Sequence, residues 1–228
     1  MGKTCGKTIV IEFNGLPGAG KSTTTYEMKK RLRERGIKEF PPQKVIAQHV
    51  SYKEILLSKD IRKVYLVFLK MLWLIRPFSK ERWRFMESTF RYWYGVRKLE
   101  MESNGQTGVC ILDQGVIQGF ISIAYQGRIL DEKKYCKYIR QLMEDFQYVV
   151  SINCIVDVGT AKQRLKSRKL SGGRLYQIKS DKELEKTLLH QKKLFEKVRK
   201  ISIKNSLDID MKEKAEYNAE KIIDYCMR

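Results

Sequence analysis

Apolar and β-branched residues occur in short runs along the chain, and longer stretches with helical spacing separate these runs. Each run is typical of a buried strand, and the last strand has two alternative positions. The runs lie at 8–13, 44–50, 109–113, 148–156 and either 201–203 or 207–209. Helical patterns such as 22–35 and 212–226 alternate with them. This alternation predicts an α/β fold with a mostly parallel five-stranded sheet and helices on both faces.

The stretch 52–102 carries no strand pattern and predicts two or three helices, with a break at Pro77. Within it, residues 64–75 are apolar except for Lys70. A segment of this length is too short to span a bilayer. Three interpretations therefore stay open, namely a buried helix, a dimer face, or a helix that lies at a membrane surface.

Length and composition favour one domain over 1–228, because 228 residues with 43% hydrophobic content can bury one sizeable core. The five cysteines are scattered and show no metal-binding spacing. Cys110 and Cys154 lie inside apolar runs, which predicts buried thiols in a reducing compartment. The first residues lack the apolar stretch of a secretory signal, so we expect a cytoplasmic protein.

The formal net charge of +20 is unevenly distributed along the chain. The segment 161–204 holds 15 Lys and Arg against 4 Asp and Glu, a local excess of +11. Such a field favours anionic partners, which include nucleotides, nucleic acid, phosphorylated sugars and an anionic membrane. Many of these lysines are also explained as solvated positions on helix faces.

The most specific motif is FNGLPGAGKST at 13–23, which contains the spacing G-x-x-x-x-G-K-S. A predicted strand precedes it and a predicted helix follows it, which is the context that a phosphate-binding P-loop requires. Backbone N–H groups and the helix N-terminus can then surround a phosphate chain. The alternative is a glycine turn that merely joins strand to helix. The motif predicts ATP and Mg²⁺ as cofactors, bound by Gly15, Gly18, Ala19, Gly20, Lys21, Ser22 and Thr23.

Asp113 ends the strand predicted at 109–113. The carboxyl ends of strands next to a phosphate loop face the ligand crevice. Asp113 is therefore a candidate to hold Mg²⁺ together with Ser22, or to accept a proton from an attacking hydroxyl. The alternative is an aspartate that caps the following helix.

The segment 156–174, VDVGTAKQRLKSRKLSGGR, combines arginines with a glycine hinge. Arg164 and Arg168 are four residues apart and share a helix face, and Arg174 follows Ser-Gly-Gly. Phosphoryl transfer needs permanently charged, planar cations around the moving group. We expect a lid-like segment at 160–180 that closes over the triphosphate, with a solvated basic helix as the alternative.

These motifs resemble the P-loop nucleoside and nucleotide kinase superfamily, and they are similar to its thymidylate-kinase-like group. The resemblance covers nearly the whole chain, through GLPGAGKST at 15–23, ILDQG at 111–115, AYQG at 124–127 and RLKSRKLSGGR at 164–174. It implies the P-loop kinase fold, ATP as phosphoryl donor, and catalytic or metal-binding roles for Lys21, Ser22, Asp113, Arg164 and Arg168.

The chain departs from the thymidylate-kinase pattern at several positions. Asn14 and Pro17 stand where that group usually has acidic residues, Gln114 replaces an arginine, and AYQG lies farther from Asp113. The resemblance therefore implies a kinase, and it does not identify thymidine monophosphate as the acceptor.

Residues for the acceptor are expected in the helical region 52–102 and at the end of the second strand. His49 ends that strand and could act as a base or hydrogen-bond donor, although a structural histidine is an equal alternative. Arg84 and Arg91 lie seven apart among aromatic residues, near one helix face with Glu87 and Phe90. An equal alternative for most of this stretch is that the aromatic residues belong to the core and the arginines face solvent. The leading acceptor is a nucleoside or nucleotide.

Other functions remain open on the sequence alone. The acceptor could be a sugar, an antibiotic or a polynucleotide 5′ end. The chain could instead be a non-catalytic nucleotide-dependent switch that binds nucleic acid or an anionic membrane, although these two partners are not favoured. A homodimer is also compatible with the apolar segment. Fold class alone does not decide between these functions.

Overall fold

The computed structural model describes residues 7–42, 57–102, 107–124, 127–167, 178, 180–201 and 204–227. Within these ranges the strands are β1 (Thr8–Gly15), β2 (Glu39–Phe40), β3 (Ile75–Arg76), β4 (Gly108–Leu112), β5 (Arg128–Ile129), β6 (Val149–Ile155) and β7 (Ser206–Asp210). The helices are α1 (Lys21–Glu34), α2 (Lys59–Trp73), α3 (Lys80–Glu102), α4 (Val116–Ile123), α5 (Glu132–Glu144), α6 (Val158–Ser167), α7 (Asp181–Arg199) and α8 (Ala215–Cys226).

Five strands form one parallel sheet in the order β2-β4-β1-β6-β7. The strands predicted at 8–13, 109–113 and 148–156 correspond to β1, β4 and β6, and β7 matches the alternative at 207–209. The strand predicted at 44–50 lies outside the described residues. β2 was not predicted, because two residues are too few to produce a recognisable pattern.

Two hydrophobic cores cover opposite faces of this sheet. Alternate side chains of β1 point to opposite sides, so Val10 packs in one core while Ile11 and Phe13 pack in the other. The first core includes side chains of α2 to α5 and α7, and the second includes those of α1 and α8. The α/β fold predicted from the sequence, with helices on both faces of a mostly parallel five-stranded sheet, is confirmed.

The described part of the region 52–102 consists of α2 and α3 with β3 between them. The break predicted at Pro77 falls between the two helices. β3 was not predicted, and it pairs with β5 as a separate antiparallel ribbon. Among the described residues, no helix is long and apolar enough to cross a bilayer.

The apolar segment 64–75 is neither wholly buried nor wholly exposed. Most of it belongs to α2, whose inner side packs in the first core through Val67, Phe68, Met71 and Leu72. Leu66 and Trp73 of the same helix are exposed. The segment therefore serves the core on one side and presents apolar side chains on the other.

Candidate active site

The P-loop lies at the carboxyl end of β1, where the chain turns into α1. Gly18 has a left-handed backbone with φ of 81°. A Cβ atom at this position would lie 2.4 Å from the carbonyl oxygen of Ala161 in α6. The loop therefore packs directly on the first turns of α6, and only glycine fits there without a shift of the backbone.

Lys21 is the first residue of α1, and its ammonium group is held inside the loop. Its Nζ donates to the carbonyl oxygens of Gly15 at 3.1 Å and Leu16 at 2.9 Å. The side chain is buried. A cation therefore sits at the N-terminal end of a helix, where the backbone N–H groups and the helix dipole also favour a bound anion.

Ser22 and Asp113 meet although they are far apart in sequence. Asp113 directly follows β4, and the Ser22 Oγ donates to its Oδ2 at 3.0 Å. The other carboxylate oxygen, Oδ1, is buried and has no hydrogen-bond partner among the described residues. A hydroxyl and a carboxylate with a spare oxygen form a hard-donor set of the kind that Mg²⁺ prefers.

No cluster of three or more His, Cys, Asp and Glu suited to a metal occurs among the described residues. A magnesium site of one hydroxyl and one carboxylate is consistent with this, because Mg²⁺ in phosphoryl-transfer sites takes its remaining ligands from water and substrate phosphates. The residues at 22 and 113 therefore fit the predicted metal.

Arg164 joins α6 to the loop and to the segment after β7. Its guanidinium donates to the carbonyl oxygens of Ala19 and Met211, both at 2.9 Å. Asp157 accepts from the backbone N–H and the hydroxyl of Thr160, both at 2.8 Å. These hydrogen bonds hold the pKa of Asp157 well below its usual range. The start of α6 and the P-loop are thus fixed relative to each other.

Several predicted site residues lie outside the described ranges. They are His49, Arg168, Arg174, and Tyr125 and Gln126 of the AYQG motif. Their roles stay predictions.

Arg84 and Arg91 are both exposed on α3, and they line a shallow depression of about 280 Å³ together with Glu87. Phe90, which we expected near the same face, packs instead in the first core. The reason is geometric: adjacent residues of an α-helix are about 100° apart around its axis, so Phe90 lies well around the helix from Arg91. The exposed face is thus more polar than the sequence indicated.

The sequence analysis missed Glu12, a buried carboxyl next to the P-loop. Glu12 accepts from the backbone N–H of Val116 at 2.7 Å and from the Ser151 hydroxyl at 3.4 Å. Burial raises its pKa to about 7. A Cβ atom at Gly115 would lie 2.1 Å from its Oε2, so the carboxyl fills the space under the turn that follows Asp113. Glu12 thus holds the start of α4 against β1.

Glu12 belongs to a row of polar side chains on one face of the sheet. Asn14 donates through Nδ2 to the Ser151 hydroxyl at 2.6 Å, and Asn153 donates to Asp208 Oδ1 at 2.9 Å. In register, Glu12 pairs with Ser151 and Asn14 pairs with Asn153. The row therefore crosses from β1 through β6 to β7 in the middle of an otherwise apolar face.

Gln118 is a second residue that the sequence analysis missed. Its Oε1 accepts from the backbone N–H of Gly15 at 3.1 Å, which ties α4 to the first glycine of the loop. The signal that could have revealed the polar row was the alternation along β1, because Glu12 and Asn14 continue the buried face that starts at Val10.

Comparison with known proteins gives little on function. No protein-family model matches the chain, and no curated protein does. Among solved structures, the chain is similar to a deoxyadenosine kinase from M.mycoides with bound dATP. That similarity has 18% sequence identity and a TM-score of 0.47, and it covers 96% of this chain and 100% of that chain. At such values the likeness carries no information on the substrate, and the fold rests on the sheet order and the loop described above.

Proposed function

We propose that this chain is an ATP-dependent small-molecule kinase that transfers the γ-phosphoryl group to a nucleoside or nucleotide. The observation that carries the proposal is the convergence of Lys21, Ser22 and Asp113 at one edge of the sheet, with Ser22 and Asp113 in a 3.0 Å hydrogen bond. A glycine turn that only connected two elements would not need this pairing. An anion-binding helix terminus, a buried ammonium group and a hard-oxygen metal site together suit a nucleoside triphosphate.

Each residue then has a role in binding or transfer. Lys21 and the loop N–H groups bind the β- and γ-phosphates, exchanging the carbonyl partners of Lys21 for phosphate oxygens. Ser22 and Asp113 would hold Mg²⁺, which neutralises phosphate charge when it is bound. Arg164, fixed beside Ala19, stabilises the charge that develops during transfer, and Arg168 and Arg174 are proposed to assist from the lid-like segment.

The chemical step is a displacement at phosphorus. An oxygen of the acceptor forms a bond to the γ-phosphorus, and the bond from that phosphorus to the bridging oxygen breaks, which releases ADP. The acceptor proton passes to Asp113 or to solvent. We propose that the acceptor is oriented by His49, Arg84 and Arg91.

Turnover with labelled nucleotide tests this proposal. The protein is incubated with γ-labelled ATP, Mg²⁺ and a panel of nucleosides, nucleotides, phosphosugars and 5′-hydroxyl oligonucleotides. We expect label in a nucleoside or nucleotide, and we expect Lys21→Ala to reduce transfer by roughly a thousandfold or more, because a phosphate-binding cation stabilises the transition state.

The matched control is Lys30→Ala, an exposed lysine on the same helix, which should retain full activity. Circular dichroism confirms that both variants fold. Undiminished transfer by Lys21→Ala would contradict the P-loop assignment. ATP binding with slow hydrolysis and no labelled acceptor would show a nucleotide-dependent switch instead.

A further inference from the structure

Helices α2 and α5 share an outward surface that combines apolar side chains with lysines. We define the α2–α5 face by Leu66, Lys70 and Trp73 of α2 and Lys134 and Tyr138 of α5, which line one depression of about 430 Å³. Trp73 is 66% exposed and Leu66 is 47% exposed. Large apolar side chains clustered at a surface commonly mark an interaction site.

The spacing along α2 places the exposed residues in one stripe. Lys63, Leu66, Lys70 and Trp73 follow each other at intervals of three or four residues. The opposite side of the helix is packed in the first core. The stripe therefore runs along a helix that lies flat on the protein, with its apolar and basic side chains directed outward.

The surrounding charge is strongly positive. The exposed residues of α2 and α5 include eight Lys and Arg and three acidic residues. One of those acids, Glu132, is already paired with Lys197 of α7 at 2.5 Å. Such a surface attracts an extended anionic partner.

We propose that the α2–α5 face docks this protein on a membrane surface rich in anionic phospholipid. Tryptophan prefers the interface between headgroups and acyl chains, and lysine stems extend along apolar surface while their charges reach the headgroups. The Arg76 guanidinium lies 5.2 Å from the Trp73 ring, which adds a cation beside the aromatic anchor. A helix lying flat with such a stripe suits interfacial binding.

Two other occupants fit this face less well. A nucleic acid backbone would use the lysines and leave Leu66 without a partner. A second copy of the chain, related by a twofold axis, would bring two positively charged faces together, which is unfavourable. The proposal does not depend on the kinase activity, so either can fail while the other stands.

Co-sedimentation with vesicles tests the proposal. The full chain should bind vesicles of phosphatidylcholine with phosphatidylserine, should bind phosphatidylcholine alone weakly, and should be released by salt. Trp73→Ala should weaken binding by about tenfold or more, because the aromatic anchor is lost. Lys70→Ala with Lys134→Ala should weaken it by about 25-fold, at about fivefold per lysine.

Matched controls lie elsewhere on the surface. Tyr217, which is 60% exposed on α8, and Lys186 with Lys193, exposed on α7, should tolerate alanine without loss of vesicle binding. Tryptophan emission should shift to shorter wavelength on vesicles for the wild type and should not shift for Trp73→Phe. Thermal unfolding checks that each variant is folded.

Three outcomes would overturn the proposal. The first is no binding of the wild type to anionic vesicles. The second is binding that Trp73→Ala leaves unchanged while the double lysine variant abolishes it on vesicles and on DNA alike, which would indicate a polyanion site. The third is a dimer in solution that Trp73→Asp dissociates, without vesicle binding by the wild type.

Discussion

The edge of the sheet that we propose to bind phosphate and the helix α3 that we propose to bind the acceptor are held in different ways. At this edge, two of the key side chains contact distant parts of the chain: Ser22 bonds to Asp113, and Arg164 bonds to Ala19. On α3, Arg84 and Arg91 are exposed, and the described residues around them, such as Glu87, come from the same helix.

This difference separates a preorganised site from an adaptable one. The first region is fixed by the sheet register and by backbone hydrogen bonds, so its geometry needs little change to act on a phosphate chain. The second presents long, exposed cationic side chains, which would lose conformational freedom on binding the proposed acceptor. Substitutions should therefore affect the chemical step in the first region and acceptor affinity in the second.

Among the substitutions that test this comparison, Asp113→Asn should have the largest effect. The amide keeps the shape of the carboxylate and removes the charge that we propose holds metal or accepts a proton. We expect turnover to fall by roughly a hundredfold or more, which corresponds to about 2.7 kcal/mol, while ATP affinity changes little. Single-turnover transfer and equilibrium binding of ATP measure the two quantities.

Asp224→Asn, an exposed carboxylate on α8, is the control for a lost charge. If Asp113→Asn lowered ATP affinity and turnover equally, Asp113 would act as a structural cap, and the contrast between the two regions would lose its chemical basis.

The next prediction compares the loss of unfolding free energy in Gly18→Ala with that in Gly36→Ala. Both glycines have a positive φ, of 81° and 67°. The new Cβ would lie 2.4 Å from the Ala161 carbonyl oxygen in the first case and would meet nothing within 4 Å in the second. We expect Gly36→Ala to cost about 1 kcal/mol of unfolding free energy and Gly18→Ala about 1–3 kcal/mol more.

Denaturant unfolding measures both, and ATP binding should be lost only in Gly18→Ala. Equal costs would show that the loop can move away from α6, so that the phosphate-binding edge is less rigid than its packing indicates.

The third prediction concerns how the stability of the protein depends on pH, and Glu12→Gln tests it. Because burial raises the pKa of Glu12 from 4.5 to about 7, the folded protein holds a proton that the unfolded chain releases between these values. The contribution of Glu12 to the free energy of unfolding should therefore be greatest below pH 4.5 and should be lost as pH rises through about 7. The contribution is up to about 3 kcal/mol.

In Glu12→Gln this part of the pH dependence should disappear, which urea denaturation at several pH values would measure. Burial also raises the pKa of Glu100 to about 7, and Glu100 is present in both proteins. The difference between the two proteins therefore reports Glu12. An identical pH dependence would mean that Glu12 is ionised in the folded state throughout this window.

The smallest effect is expected on the acceptor side. Arg84→Ala or Arg91→Ala should raise the acceptor KM, or lower kcat/KM, by about tenfold, the worth of one charge-assisted hydrogen bond. ATP affinity should stay constant. Lys80→Ala, exposed at the start of α3, is the control. Unchanged acceptor kinetics with weaker, salt-dependent polyanion binding would assign this face to another partner.

Much of the fold could be predicted because its elements carry local signals. The apolar runs that become β1, β4 and β6 are each long enough to recognise, and the loop motif fixes the turn between β1 and α1. β2 gave no signal because it has only two residues, and its place beside β4 depends on contacts that no local pattern encodes.

The proximity of candidate site residues was predicted where it depends on a motif. Residues whose position depends on packing were missed. Lys21, Ser22 and Asp113 were placed together from the loop and a strand end. Glu12 was missed, since a carboxylate within a strand normally indicates a solvent-facing position. The space left by Gly115 and the N–H of Val116 accommodate its buried carboxyl, and both lie about a hundred residues away.

The contact between Glu12 and Gly115 also constrains how this sequence can diverge. A Cβ at 115 would lie 2.1 Å from the Glu12 Oε2 and 2.5 Å from the Glu12 Cβ, so a larger residue at 115 requires glycine at 12 or a shift of the backbone. Related sequences should therefore vary at these two positions together, and a double-mutant cycle of Glu12→Gly with Gly115→Ala should be strongly non-additive. The pair of residues at 12 and 115 would then distinguish relatives of this chain from the many other enzymes that share only the loop motif.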